Sequence, residues 1–189
     1  MAPETAIPES FSRAVAQMAA VATRPEIVLE EAPAPTKLAP FAYALGGTVS
    51  RGGDEVATGR LILLHDPAGH AAWGGTVRLV TYVTAELESE IAADPLLAAV
   101  GWSWLTDALD HHEADYTAIG GTVTLTVSTR FGELSGSSPV ADLEIRASWT
   151  PVGEGIAAHV EAWCALLAST AGLPPPGVSM IEHRAAAPA

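Results

Sequence analysis

Apolar residues along this chain recur with two different periods, and the switches between them mark the elements. After Pro8, the positions Phe11, Val15, Met18 and Ala22 share one helical face, and Pro25 stops the run. Residues 41–50 then alternate, with Phe41, Tyr43, Leu45 and Val49 on one side, which predicts a strand. Residues 57–64 predict a second strand, and TVRLVTYVTA at 76–85, rich in β-branched residues, a third. Two more alternating runs follow a central helix. Val123, Leu125, Val127 and Phe131 face one way between threonines, and Leu143, Ile145, Ala147 and Trp149 alternate with Asp142, Glu144, Arg146 and Ser148. Helical spacing returns in Ile156, Val160, Trp163 and Leu167, with Gly172 suited to end that helix.

The stretches between these runs read as punctuation. SRGGDE at 50–55 is a turn, HDPAGHAAWGG at 65–75 a loop built on Asp-Pro and Gly, and GELSGSSP at 132–139 another loop. PEIVLEE at 25–31 reads as a short extended piece outside the strands, and the Pro-rich 32–40 as an extended connector. The order α-β-β-β-α-β-β-α, with strands arriving consecutively, predicts an α+β fold: an antiparallel five-stranded sheet with helices packed on it. One domain over 8–173 is expected, with flexible tails at 1–7 and 174–189.

The central helix, over Asp94–His112, carries apolar residues on more than one side. Asp94 suits its cap and Pro95 its first turn. Leu97, Val100, Trp104 and Ala108 form one stripe, and Ala98, Trp102, Leu105 and Leu109 a second. Two residues apart, Trp102 and Trp104 diverge by about 200° around the helix. One sheet face needs one stripe. The other requires a second surface, from this chain or from a second copy. Trp102, Trp104, Leu105 and Leu109 are therefore the candidate interaction residues, and a homodimer is expected.

Charge narrows the partners. The net charge is −13, with 22 acids against nine bases, so phosphate backbones and anionic membranes would repel the chain. The N-terminal MAPETAIPESFSR has acids where a signal peptide needs a basic start, and no apolar run is long enough for a membrane span. A soluble cytoplasmic protein is expected, with no membrane or nucleic-acid partner. Cys164, the single cysteine, excludes an intrachain disulfide and reads as a small buried hydrophobe within a helix.

Candidate chemistry is sparse. His65, Asp66 and His70 put two imidazoles and a carboxylate within six residues, which could bind a metal or do acid–base work. Asp66-Pro67 with Gly69 is equally good turn chemistry. His111, His112, Glu113 and Asp115 form a second cluster, but adjacent histidines on a helix point about 100° apart and chelate poorly together. Arg60, Arg78, Arg130 and Arg146 could converge on a carboxylate or phosphate, or pair with Asp142 and Glu144. GxSxG, the Walker-type GxxxxGK(S/T), GxGxxG and HExxH are absent from the sequence. No catalytic set, metal or cofactor is assigned. A non-enzymatic protein-interaction module, chaperone-like or adaptor, is the expected function. The alternative is a small-molecule binder or enzyme using His65, Asp66, His70 and Arg78.

The segments LAPFAYAL, ATGRLILLHDPAG, WGGTVRLVTYV, DPLLAAVGWSWLTDAL, IRASWTP and HVEAWCALLASTAGLPP, in this order, resemble an actinobacterial family known as a domain of unknown function, numbered three thousand. The resemblance covers about residues 8–176. It implies an actinobacterial cytoplasmic protein and transfers no catalytic residue. The order of elements also resembles that of small acidic secretion chaperones, which dimerise and bind partner polypeptides. That second likeness is an analogy of topology and charge.

Overall fold

Six strands, not the expected five, form the single sheet. The computed structural model describes residues 6–87, 89–92, 94–134 and 140–176. The expected tails therefore fall mostly outside the described residues, as does most of the 132–139 loop. The elements are α1 (Glu9–Ala19), β1 (Ile27–Ala32), β2 (Phe41–Arg51), β3 (Asp54–His70), β4 (Gly75–Leu87), a one-turn α2 (Ser89–Ala92), α3 (Leu97–His111), β5 (Tyr116–Ser128), β6 (Val140–Pro151) and α4 (Ile156–Thr170). The strand order is β1-β2-β3-β4-β6-β5, and every neighbouring pair is antiparallel. The α+β class is as expected, and the succession of elements is roughly so, with β1 and the one-turn α2 added.

The added strand is β1, the piece read as extended but uncounted. Its six residues pair with β2 from Ile27↔Val49 to Ala32↔Ala44. Only Ile27 is buried, and Glu30 and Glu31 are exposed. An edge strand this short has too few inward residues to announce itself by alternation, and backbone pairing holds it instead.

Two strand limits also differ from expectation. Residues 65–70, expected in a loop, continue β3, and only 71–74 turn. The register breaks between His65 and His70, so Pro67 sits in a bulge where it need not donate to the ladder. Glycines at 69 and 74 supply the positive φ angles (77° and 66°) of this hairpin end. The run expected at 121–131 begins instead at Tyr116 and ends at Ser128, with a register break between Thr117 and Gly120. Val127 and Phe131, read as core positions, are 55% and 79% exposed. Burial along that alternation goes no further than the half-buried Leu125.

All three long helices lie on one face. Alternation brings Leu61, Leu63, Leu79, Val83, Leu143, Ile145 and Trp149 to that face, and each is fully buried. Helix α4 crosses it at Gly47 and Gly59, a directly paired couple on β2 and β3. A Cβ at Gly47 would lie 2.7 Å from Leu167 and 2.9 Å from Trp163, and one at Gly59 2.7 Å from Leu167. The two missing side chains form the slot into which the α4 indole and leucine fit. Helix α3 packs on β5 and β6, with Gly101 against Val123, Ile145 and Leu143, and also packs on α4. It starts at Leu97, two residues later than its sequence signals suggest. Asp94 orders the preceding turn by accepting the Leu96 N–H at 2.8 Å.

Helix α1 closes the far end. Its Gln17 Oε1 accepts the N–H groups of Ile156 (2.7 Å) and Ala157 (3.3 Å), and its Nε2 donates to the Glu154 carbonyl. The α4 N-cap is Gly155, which has no side chain to do this. No helix among the described residues is long and apolar enough to cross a membrane.

Candidate functional site

Of the four residues of the small-molecule alternative, the structure places His65 and Arg78 on opposite faces of the sheet. His65 is on the helix-covered face, 5% exposed, between the rings of Phe11 (6.0 Å) and Phe41 (6.1 Å). Its Nδ1 has no hydrogen-bond partner, and burial holds its pKa below the usual value despite nearby Asp66. Asp66 Oδ1 accepts the Ala68 N–H at 3.0 Å within the bulge. His70 Nδ1 accepts the Ala72 N–H at 3.2 Å, with its ring stacked on Trp73. Arg78 pairs directly with Leu64 and so faces away from His65. Its Nη1 donates to the Ala118 carbonyl (2.8 Å) and Thr150 Oγ1 (3.1 Å), and its Nη2 to Ser148 Oγ (2.8 Å) and the Ser148 carbonyl (3.3 Å). This guanidinium ties β4 to β6 and to the β5 bulge at Ala118.

The second histidine cluster is similarly dispersed. His111 and His112 meet edge-on, and His112 Nδ1 lies 3.5 Å from Glu161 of α4. Among the described residues, no group of three or more His, Cys, Asp or Glu side chains could hold a metal ion.

On the open sheet face Arg146 pairs with Glu144, one of the two acids expected for it, and the sequence pattern did not point to Tyr82 beside them. The outward residues of β3, β4 and β6 frame a shallow groove of about 400 Å³. Ile62, Val80, Tyr82, Arg146 and Ser148 line it, with Gly120 and Gly121 of β5 along one side. Tyr82 is 39% exposed, and the Arg146 guanidinium sits 5.3 Å from its ring centre. Glu144 accepts from the Tyr82 hydroxyl (3.0 Å) and from Arg146 Nε (2.6 Å). That hydrogen bond raises the Tyr82 pKa, so the phenol stays protonated. A Cβ at Gly120 would meet nothing within 4 Å, so the groove has room there. The signal was present as Tyr82, Glu144 and Arg146 on the polar side of their strands, but their cross-strand register was not.

The α3 candidates divide. Leu105 and Leu109 are fully buried in the core. Trp102 and Trp104 are half-buried and pack against it. Trp102 lies over Gly121, where a Cβ would come within 2.8 Å of its ring. Leu96 and Val100, at the start of α3, are 65% and 42% exposed.

On the helix side, a groove of about 480 Å³ lies beside α4, lined by Arg24, His112, Glu161, Cys164, Ala168 and Leu173 among others. Burial, with Glu161 adding to it, pushes the Cys164 thiol up to about 12, so it stays protonated at neutral pH and is a poor nucleophile. Arg24 is bound to Glu26 and to the Pro174 carbonyl. The other buried imidazole, His159, accepts the Trp149 Nε1–H at 3.1 Å, and burial, partly opposed by Asp115, lowers its pKa to about 4. It is a neutral core group.

No curated protein and no solved structure matches the chain. Residues 7–179 match one family model over most of the chain, so the chain belongs to that family, described as protein of unknown function (DUF3000).

Proposed function

We propose that this chain is a non-enzymatic interaction module, an adaptor that takes a partner polypeptide on its open sheet face and associates with itself on the α3 side. The observation that carries the reading is the exposed Tyr82–Arg146 stack in the open groove. Tyrosine and arginine are the residue types that most often anchor protein interfaces. The glutamate tether holds both side chains in place before binding, which lowers the ordering cost on association. Self-association draws on the half-buried Trp102 and Trp104 and the exposed Leu96 and Val100.

The test of partner binding is affinity capture from native cells with the full chain, using Gly120→Leu to fill the groove and Tyr82→Ala to remove its anchor. A protein retained by the parent and lost with both variants is expected. If the parent retains nothing beyond what Gly120→Leu retains, the adaptor reading fails. For self-association, sedimentation of Trp104→Ala is expected to show dimerisation weakened by about 2 kcal/mol or more.

A further inference from the structure

The two edges of the sheet are built differently. Edge β1 is six residues long and carries Glu30 and Glu31, which discourage another strand from docking. Edge β5 is thirteen residues long, YTAIGGTVTLTVS, and has no proline. It is also the one strand of the six without a charged residue. Most of its side chains are exposed, and its Thr/Val alternation over 122–127 suits a paired strand. A long, uncharged edge with free backbone donors and acceptors is a template for another strand. Exposed apolar side chains gather in the segments around it. Val127 is on β5, Phe131 follows it, and Ile91, Leu96 and Val100 are on or beside α2 and α3, both of which contact β5.

We infer that β5 pairs antiparallel with β5 of a second copy of this chain about a two-fold axis near Thr124, joining the two sheets into one. This rests on the self-association reading above and adds a strand contact beside α3. Charge selects the contact. A chain at −13 repels its own kind over most of its surface, and β5 is the strand where two copies meet without opposing carboxylates. Symmetry supplies a self-consistent register. Thr124 faces its own copy, Thr122 faces Thr126 on the open side, and Val123 faces Leu125 on the helix side. Threonine then meets threonine and aliphatic meets aliphatic in each row, and such pairs are favourable across strands. The bulge near Ala118 and the 120–121 glycines lie towards one end of β5, so residues 122–126 pair without interruption.

The test is sedimentation of the full chain with Thr124→Lys, Thr124→Glu and their mixture. Thr124 is exposed, so each variant should fold, and should melt like the parent at concentrations where both are monomeric. Each alone should raise the dimer dissociation constant roughly fivefold or more, because like charges face each other at the axis, and mixing the two should restore the dimer. As a second readout, Thr124→Cys in a Cys164→Ser background should form a disulfide-linked dimer on oxidation. Val28→Cys on β1 should not. A parent that dimerises unaffected by Thr124→Lys, with no disulfide link formed by the Thr124→Cys variant, overturns the β5 contact and leaves self-association through α3 standing. A parent that stays monomeric at high micromolar concentration overturns both.

Discussion

The two faces of the sheet are made by the same strands, one residue out of step, and they are held together by different forces. On the covered face, Leu61, Leu79, Ile145 and Trp149 are fully buried beneath three helices, and dispersion and apolar burial dominate. On the open face, the neighbouring residues of the same strands are Arg60, Arg78, Tyr82, Glu144 and Arg146; Arg78 and Tyr82 bond across to Ser148 and Glu144 of β6, Arg146 bonds to Glu144 along β6, and Arg60 bonds to the Pro33 carbonyl. The difference shows what alternation specifies. It states which residues could be covered. Whether a face becomes core depends on whether something covers it, and only one face received helices. The uncovered face keeps side chains that are ordered but accessible, which is what a binding surface requires.

The sharpest way to test this contrast is to strike the covered face at its tightest point. Trp163→Ala should cost roughly 3–5 kcal/mol of unfolding free energy, read by chemical denaturation. Gly47→Ala and Gly59→Ala should each cost roughly 1–3 kcal/mol, because the new methyl meets Trp163 or Leu167 inside van der Waals distance. In a Trp163→Ala background the Gly47→Ala cost should shrink, and a fully additive double variant would remove the slot argument.

A pH series addresses the same face. His159 and His65 are buried neutral, with pKa values lowered by burial, His159 to about 4. A lowered imidazole pKa means that the unfolded chain binds the proton first. The stability contribution is therefore complete above about pH 6.5 and is lost as pH falls towards 4, by about 3 kcal/mol for His159 alone. His159→Gln, which retains an acceptor for Trp149, should flatten that slope. A parent stability that is level between pH 6.5 and 4.5 would contradict the burial argument.

Arg78→Ala strikes the open face instead, because it removes the polar hub there. Four hydrogen bonds are lost and the buried Thr150 hydroxyl keeps only its bond to the Trp73 carbonyl, so a loss of about 1–3 kcal/mol is expected. A loss as large as that of Trp163→Ala would mean that both faces carry equal weight. Gln17→Ala, which uncaps α4 on the covered side, should cost about 1 kcal/mol. Tyr82→Ala is the smallest change, within about 0.5 kcal/mol in thermal melts, since the side chain is exposed and lies outside the core.

Much of this architecture follows from local pattern. The helical runs at Phe11–Met18 and Ile156–Leu167, the alternation at 41–49, 57–64, 76–85 and 143–149, and the order of elements required only backbone periodicity and side-chain polarity, both local properties of a chain. Residues at a distance settled the rest. Strand β1 exists because β2 offers it a backbone ladder. The continuation of β3 through Pro67 depends on β4 lying opposite. The N-terminus of α4 is capped by Gln17, from a helix more than a hundred residues earlier in the chain. The slot for Trp163 needs Gly47 and Gly59 in register. His65 and Arg78, close in sequence to the same turn, part to opposite faces because the pleat sends odd and even positions apart. Tyr82, Glu144 and Arg146 meet only because β4 and β6, distant in sequence, are neighbours in the sheet. Sequence alone determined the elements and their polarity, since those depend on each residue and its near neighbours. Tertiary structure decided which face was covered, which edge was left free and which side chains met, since pairing register and helix placement are set by contacts between distant segments.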